Sequence, residues 1–313
     1  MAQALAMTRA VPVFGSLETP DGAVLRTAAW RPSGRLRGTV VMLTGRAEFV
    51  EKYQETAEAL LARGLQVFSL DWRNQGLSTR PSGNPQKHHL DDFDVLRDDL
   101  ALFVERVVLP AAEGPMVLLA HSMGGMAATL YLAAEPELFA AAVLSAPMHD
   151  IRTAPWPRRA AAILAAVACA TGFATAYAPG QRDYDPAEGA FDPDNPITGD
   201  PARYAVFHDA FRRRPELRVG GVTFGWVRAA LRAADAVRAE LPLESVRTPV
   251  LLLSAPDDRI VDATVHPLVA QRFGCCTLVT YPDARHEVLM ERDPIRDRVW
   301  ADIDAFLAPI LAA

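Results

Sequence analysis

The sequence has little cysteine: Cys169, Cys275 and Cys276 are the only three in 313 residues. None belongs to a Cys-x-x-Cys pair or sits at Cys/His ligand spacing, so neither a zinc site nor a disulfide framework is indicated. That composition fits a reduced, cytoplasmic setting. A long basic run is also missing, and the formal net charge is −6. Binding to a phosphate backbone needs clustered Lys and Arg, which excludes nucleic acid as the principal partner. Residues 1–16 lack the basic n-region and unbroken apolar h-region of a secretory signal. There is no internal repeat and no low-complexity tail. One uncharged stretch, Ala160 to Ala178, is long enough to cross a bilayer on length alone. It is mostly alanine, though, and Thr171, Gly172 and Thr175 interrupt it. It reads as a buried or surface-docking helix rather than a span, which leaves room for peripheral contact with the inner face of a membrane.

What the chain does have is apolar residues, 50% of the total, enough for a sizeable core. Their pattern alternates between strand and helix. A hairpin is expected from about Gly15 to Trp30, around the Pro20-Asp21-Gly22 turn signal. Continuous apolar runs at 38–44, 65–70, 116–120, 141–145 and 249–254 predict strands covered on both faces. Helices are predicted at about 51–63, 91–108 and after residue 126. A further helix near 264–273, a strand at 276–281 and a final helix from 294 to about 311 complete the series. Strands alternating with helices imply a mostly parallel, doubly wound sheet. The alternation stops between about 148 and 248, where Pro-rich turns, the Ala-rich stretch and a helical pattern at 226–239 appear. A hundred such residues are too many for a plain loop. The expected organisation is therefore a core in two parts, 1–147 and 248–313, with an inserted helical lid at 148–247.

The stretch Val117-Leu-Leu-Ala-His-Ser122-Met-Gly-Gly-Met126 runs from strand to helix through a serine between small residues. Such a turn strains the backbone and lifts the side chain out of the sheet, the nucleophile-elbow pattern G-x-S-x-G with Ala120 in place of the first glycine. A serine hydroxyl needs a base to take its proton, and the base needs an acid to orient it. The histidine expected after the last strand is His286, in Tyr281-Pro-Asp-Ala-Arg-His286-Glu287. The acid is expected in Ala255-Pro-Asp257-Asp258-Arg-Ile-Val-Asp262. Asp258 is favoured over Asp257 because it precedes Arg-Ile-Val, where the chain turns toward the next helix. One of the three aspartates is expected to cap a helix instead. An oxyanion needs two backbone N–H donors: Met123, after the nucleophile, and Arg46, after the strand ending at Thr44. His121 is expected to pack beside the elbow, and His149 and His208 fall in the lid, where they could meet substrate, although a lone histidine is more often a surface or core residue. No metal or organic cofactor is required.

With Thr44-Gly-Arg-Ala-Glu48, Asp71-Trp-Arg-Asn-Gln-Gly-Leu-Ser78, His121-Ser-Met-Gly-Gly125, Asp258-Arg259 and His286-Glu287 in this order, the chain resembles the α/β-hydrolases. It is most similar to their lysophospholipase and monoacylglycerol lipase branch, the bacterial lysophospholipase type. Asn195-Pro-Ile-Thr198, Arg203-Tyr204 and Gly220-Gly-Val-Thr-Phe-Gly-Trp226 extend the likeness into the lid. Two departures leave the backbone chemistry intact: Thr44-Gly45 stands for His-Gly, and Asn74 stands for a glycine. The resemblance implies a serine carboxylic ester hydrolase acting on a single-acyl-chain lipid ester, a lysophospholipid or monoacylglycerol. Trp156, Phe173 and Tyr177 could offer a surface for the acyl chain or equally form the lid's own core. Asp183, Asp185, Glu188, Asp192 and Asp194 keep open an aminopeptidase or amidase, whose substrate ammonium they would hold. A short-chain esterase is a third reading. A non-catalytic lipid or partner binder has no need of serine, aspartate and histidine in this order.

Overall fold

A computed structural model describes residues 10–312. The reading of the amino-terminal stretch rests largely on residues 1–9, which lie outside the described residues. Eight strands form one sheet in the order β1-β2-β4-β3-β5-β6-β7-β8. They are β1 (Val13–Glu18), β2 (Val24–Trp30), β3 (Gly38–Leu43), β4 (Leu65–Leu70), β5 (Met116–His121), β6 (Ala141–Ser145), β7 (Val250–Ser254) and β8 (Cys276–Thr280). The β1–β2 hairpin and the β2–β4 pairing are antiparallel, and every pairing from β4 to β8 is parallel.

The central parallel strands β3, β5, β6 and β7 are mostly apolar and almost wholly buried because both faces are covered, whereas the edge strand β8 is only partly buried. Successive side chains on a strand point to opposite faces. Val41, Leu43, Leu118 and Ala120 accordingly join one core, which also takes in α2 (Asp94–Phe103) and α3 (Met123–Ala134). Val40, Met42, Val117 and Leu119 join the other, with α1 (Gln54–Ala62) and α8 (Asp293–Ala312). Each Leu or Val so buried contributes about 1.5–3 kcal/mol, and both layers meet on β3 and β5. The strand that delivers Ser122 is thus held on both sides.

Between β6 and β7 lie α4 (Arg158–Ala170), α5 (Pro201–Arg213) and α6 (Phe224–Asp235), with α7 (His266–Arg272) following β7. Helix α5 went unforeseen, since its sequence is rich in charge and carries no clean apolar stripe. Asp200 caps it, accepting from the Ala202 and Arg203 amides, and Pro201 opens it. The Ala-rich stretch is helical only as far as Ala170, with Ala165 and Ala168 buried and Ile163 and Val167 exposed. Among the described residues, no helix is long and apolar enough to cross a membrane.

Candidate active site

Ser122 sits between β5 and α3 with φ 51° and ψ −116°. A non-glycine residue there carries about 1–3 kcal/mol of strain, offset by the packing of β5 and by two hydrogen bonds to its neighbours. Its N–H donates to the Ser145 carbonyl at 3.1 Å, and its carbonyl accepts from Met148 at 2.9 Å. The need for small neighbours is steric. A Cβ on Gly124 would stand 2.5 Å from the Thr44 carbonyl oxygen, and one on Gly125 would stand 2.7 Å from Pro147 Cβ. Ala120, by contrast, is simply packed in the core.

The loops after β7 and β8 bring Asp258 and His286 to this serine. His286 Nε2 lies 2.9 Å from Ser122 Oγ, and His286 Nδ1 lies 2.6 Å from Asp258 Oδ2. The second Asp258 oxygen accepts from the Ile260 and Val261 amides at 2.7 and 3.0 Å. Burial alone would raise the Asp258 pKa. His286 and the two amides outweigh it and hold the carboxyl below its ordinary value. Asp257 is exposed, and Asp262 caps the turn at Ala263–Val265 by accepting from the Thr264 amide.

The amides of Met123 and Arg46 donate to no protein group among the described residues. The loop carrying Arg46 is clamped by a residue that the sequence did not single out. Gln75 is fully buried, its amide N–H group donates to the Gly45 and Glu48 carbonyls at 2.8 and 3.0 Å, and its oxygen accepts from Ala47 at 3.0 Å. Ala47 needs this support, since its φ is 62°. Trp72 Nε1 donates to the Thr44 carbonyl, and Glu48 accepts from the Gly45 amide and the Tyr53 hydroxyl. The 71–78 turn that positions Gln75 closes around Asp71. A Cβ on Gly76 would stand 2.0 Å from that carboxyl, and Asn74 adopts φ 67°. Only hydrogen bonds between residues far apart in the chain could have revealed Gln75 as the clamp.

Alongside these groups, Lys52 Nζ bridges Glu48 and Glu287. His121 lies beside them, its ring 4.7 Å from that of His286 and its Nδ1 3.1 Å from the Ser145 carbonyl. Glu48, His121 and Glu287 come within metal-ligating distance of one another. The Lys52 ammonium already bridges both carboxylates, so the arrangement does not fit a cation. Burial holds His121 neutral, down to about 3. Burial would also raise Glu48, but the Lys52 ammonium, helped by the Tyr53 hydrogen bond, outweighs it and brings the carboxyl down to about 2. A carboxyl held below its unfolded value stabilises the fold above that value, and the contribution drains away as pH falls. For Glu48 the window runs from about 4.5 down to about 2. Replacing Glu48 with Gln is expected to flatten the loss of stability across that window in urea titrations at several pH values. An unchanged slope would show that the acid sensitivity comes from elsewhere.

Ser122 and His286 open into a cavity of about 1160 Å³ whose opposite wall belongs to the segment between β6 and β7. Tyr184, Phe191, Ile197, Tyr204 and Phe207 supply its apolar lining. Trp156 and Phe173, offered as an acyl-chain surface or as lid core, instead lie exposed and away from this cavity, and Tyr177, which does not line it, donates to Asp183 on its rim. The reason is that the Ala-rich helix packs on α6, while the stretch around α5 faces the serine. His208 lines the cavity. His149 does not: it is buried against Thr129 and His266. The motif Asn195–Thr198 grips the histidine loop, with the Glu287 amide donating to the Ile197 carbonyl and Thr198 Oγ1 to the Met290 carbonyl.

A mostly parallel sheet with a strained serine after β5, an acid after β7 and a histidine after β8 defines an α/β-hydrolase. Residues 34–293 match the family described as serine aminopeptidase, S33, and the chain belongs to that family. It is 32% identical over 277 residues to the probable lysophospholipase L2 of Haemophilus influenzae, covering 88% of this chain and 86% of that one. It is 34% identical to lysophospholipase L2 of Escherichia coli, covering 85% and 79%. Among solved structures, a soluble variant of Saccharomyces cerevisiae monoglyceride lipase superimposes with TM-score 0.73 at 21% identity, covering 96% of each chain. A thermostable carboxyl esterase from Bacillus coagulans gives 0.74 at 18% identity, covering 96% and 99%. The chain is an ester hydrolase by this kinship.

Proposed function

We propose that the protein cleaves single-acyl-chain lipid esters, lysophospholipids or monoacylglycerols, through an acyl-enzyme on Ser122. The observation that carries this reading is the Ser122–His286–Asp258 hydrogen-bonded chain at the floor of a cavity with an apolar wall. Ser122 attacks the ester carbonyl while His286 takes its proton, and Asp258 orients His286 and stabilises its charged form. The Met123 and Arg46 amides hold the oxyanion. His286 then protonates the leaving alcohol, and afterwards activates water to release the fatty acid. The segment 148–247 acts as a lid over the site, and the names of the two lysophospholipase relatives favour the lipid substrate. The test is a panel of p-nitrophenyl esters of rising chain length, a monoacylglycerol, a lysophosphatidylcholine and an aminoacyl amide. Preference for the long single-acyl lipids supports the reading. Turnover of short esters only would keep the chemistry and discard the lipid.

The family's description and the acids Asp183, Asp192 and Asp194 on the cavity rim favour a second reading, an aminopeptidase. Faster turnover of the aminoacyl amide than of any ester would establish it.

We further propose that the protein works in the cytoplasm and meets the inner face of the membrane through the outer side of α4. Trp156, Ile163, Val167 and Phe173 are each more than half exposed there, a composition suited to shallow insertion among acyl chains. Flotation with liposomes is expected to carry the wild type upward, and a variant with Ile163, Val167 and Phe173 changed to Ser is expected to stay below. Equal flotation of the two would rule this face out.

A further inference from the structure

Five cationic side chains line the cavity above Ser122: Arg46, Lys52, Arg182, Arg203 and Arg259. Four of them already face carboxylates. Lys52 lies between Glu48 and Glu287, and Arg182 is near Asp185 and Glu188. Arg203 binds Glu55, Asp200 and Asp293, and Arg259 faces Asp194 at 3.2 Å. Arg46 is the exception. Among the described residues it has no ion pair, and its guanidinium makes a single hydrogen bond, from Nη1 to the Gly220 carbonyl at 2.9 Å. A guanidinium has five N–H donors, so most of them are uncommitted. The charge is also partly desolvated, since burial lowers the Arg46 pKa against the opposing pull of Glu48. Glu48 attracts the guanidinium without pairing with it, because its oxygens are committed to Lys52, Tyr53 and the Gly45 amide. The nearby His88 is fully buried, neither ring nitrogen has a partner, and both Arg46 and Arg80 act to keep it neutral. A desolvated cation without a counter-ion is costly, and an anion brought by the substrate would relieve the cost.

We propose that the Arg46 side chain is the phosphate-recognising group of the site, selecting lysophospholipids over monoacylglycerols. This inference rests on the ester-hydrolase reading above and deepens it. The same residue then serves both the acyl carbonyl and the leaving headgroup. Its backbone amide is the proposed donor to the ester carbonyl oxygen, and its side chain lines the same cavity. Gly220 holds the fork in place, and a planar guanidinium suits two phosphate oxygens at once. A fatty-acid carboxylate is a poorer occupant, because it forms at Ser122 itself.

The experiment compares kcat/KM for a lysophosphatidylglycerol and a monoacylglycerol of equal chain length in wild type, Arg46→Ala and Arg46→Lys. The alanine variant keeps the backbone amide. Its lysophospholipid-to-monoacylglycerol ratio is expected to fall about 10- to 100-fold, with the lysine variant in between. In the wild type, sn-glycero-3-phosphoglycerol is expected to compete with the lysophospholipid, and glycerol is not. Equal losses on both substrates, or no competition by the phosphodiester, would overturn the role of Arg46 while leaving ester hydrolysis standing. Failure of the wild type to cleave either lipid would remove the ester reading and this inference together.

Discussion

Changing Ser122 to alanine is expected to lower kcat on the preferred ester by about 10⁶-fold, comparable with nucleophile removal in other serine hydrolases. Removal of Oγ leaves His286 Nε2, now 2.9 Å from it, without a group to deprotonate, and no acyl-enzyme can form. The residual rate should reflect the oxyanion donors and binding alone. The fold should tolerate the change, because alanine is no larger than serine at a backbone already held at φ 51° by β5 and β6. Matching thermal melts for variant and wild type would separate lost chemistry from lost structure. Hydrolysis near the wild-type rate by a well-folded variant would refute the mechanism. A serine-directed phosphonate should label the wild type and spare the variant.

The next largest effect is expected at Asp258. Asparagine has nearly the same shape, but its amide cannot replace both the acceptor for His286 Nδ1–H and the acceptor for the Ile260 and Val261 amides. One contact is lost or His286 takes the wrong tautomer, and the developing imidazolium has no counter-charge. A fall in kcat of about 10⁴-fold is expected. Asp257→Asn is the control. Its side chain is exposed, and the activity of that variant should stay within about threefold of wild type. A large loss for Asp257→Asn with little for Asp258→Asn would reverse the assignment. These two variants bear directly on the choice left open by a sequence with adjacent aspartates.

The central strands were legible because they are buried on both faces and therefore read as nearly continuous apolar runs. The serine turn was legible because its steric demands act within a few residues, on Gly124 and Gly125. The histidine and the acid could be anticipated from strand order. Helix α5 and the placement of the cavity wall could not. A charged helix capped by Asp200 and anchored by Arg203 to Glu55 and Asp293 owes its position to partners 148 and 90 residues away. The exposed aromatics Trp156 and Phe173 misled for the same reason, since apolar composition does not say which way a surface faces.

The sequence by itself determined the sheet, the strained serine and the order of the three polar groups, because these follow from local periodicity and from steric limits within a turn. The tertiary structure alone decided which aspartate meets His286, that Gln75 clamps the Arg46 loop, and that Phe191, Tyr204 and Phe207 face the serine. Those outcomes depend on hydrogen bonds and packing between loops far apart in the chain. Such contacts have no period and no spacing to read.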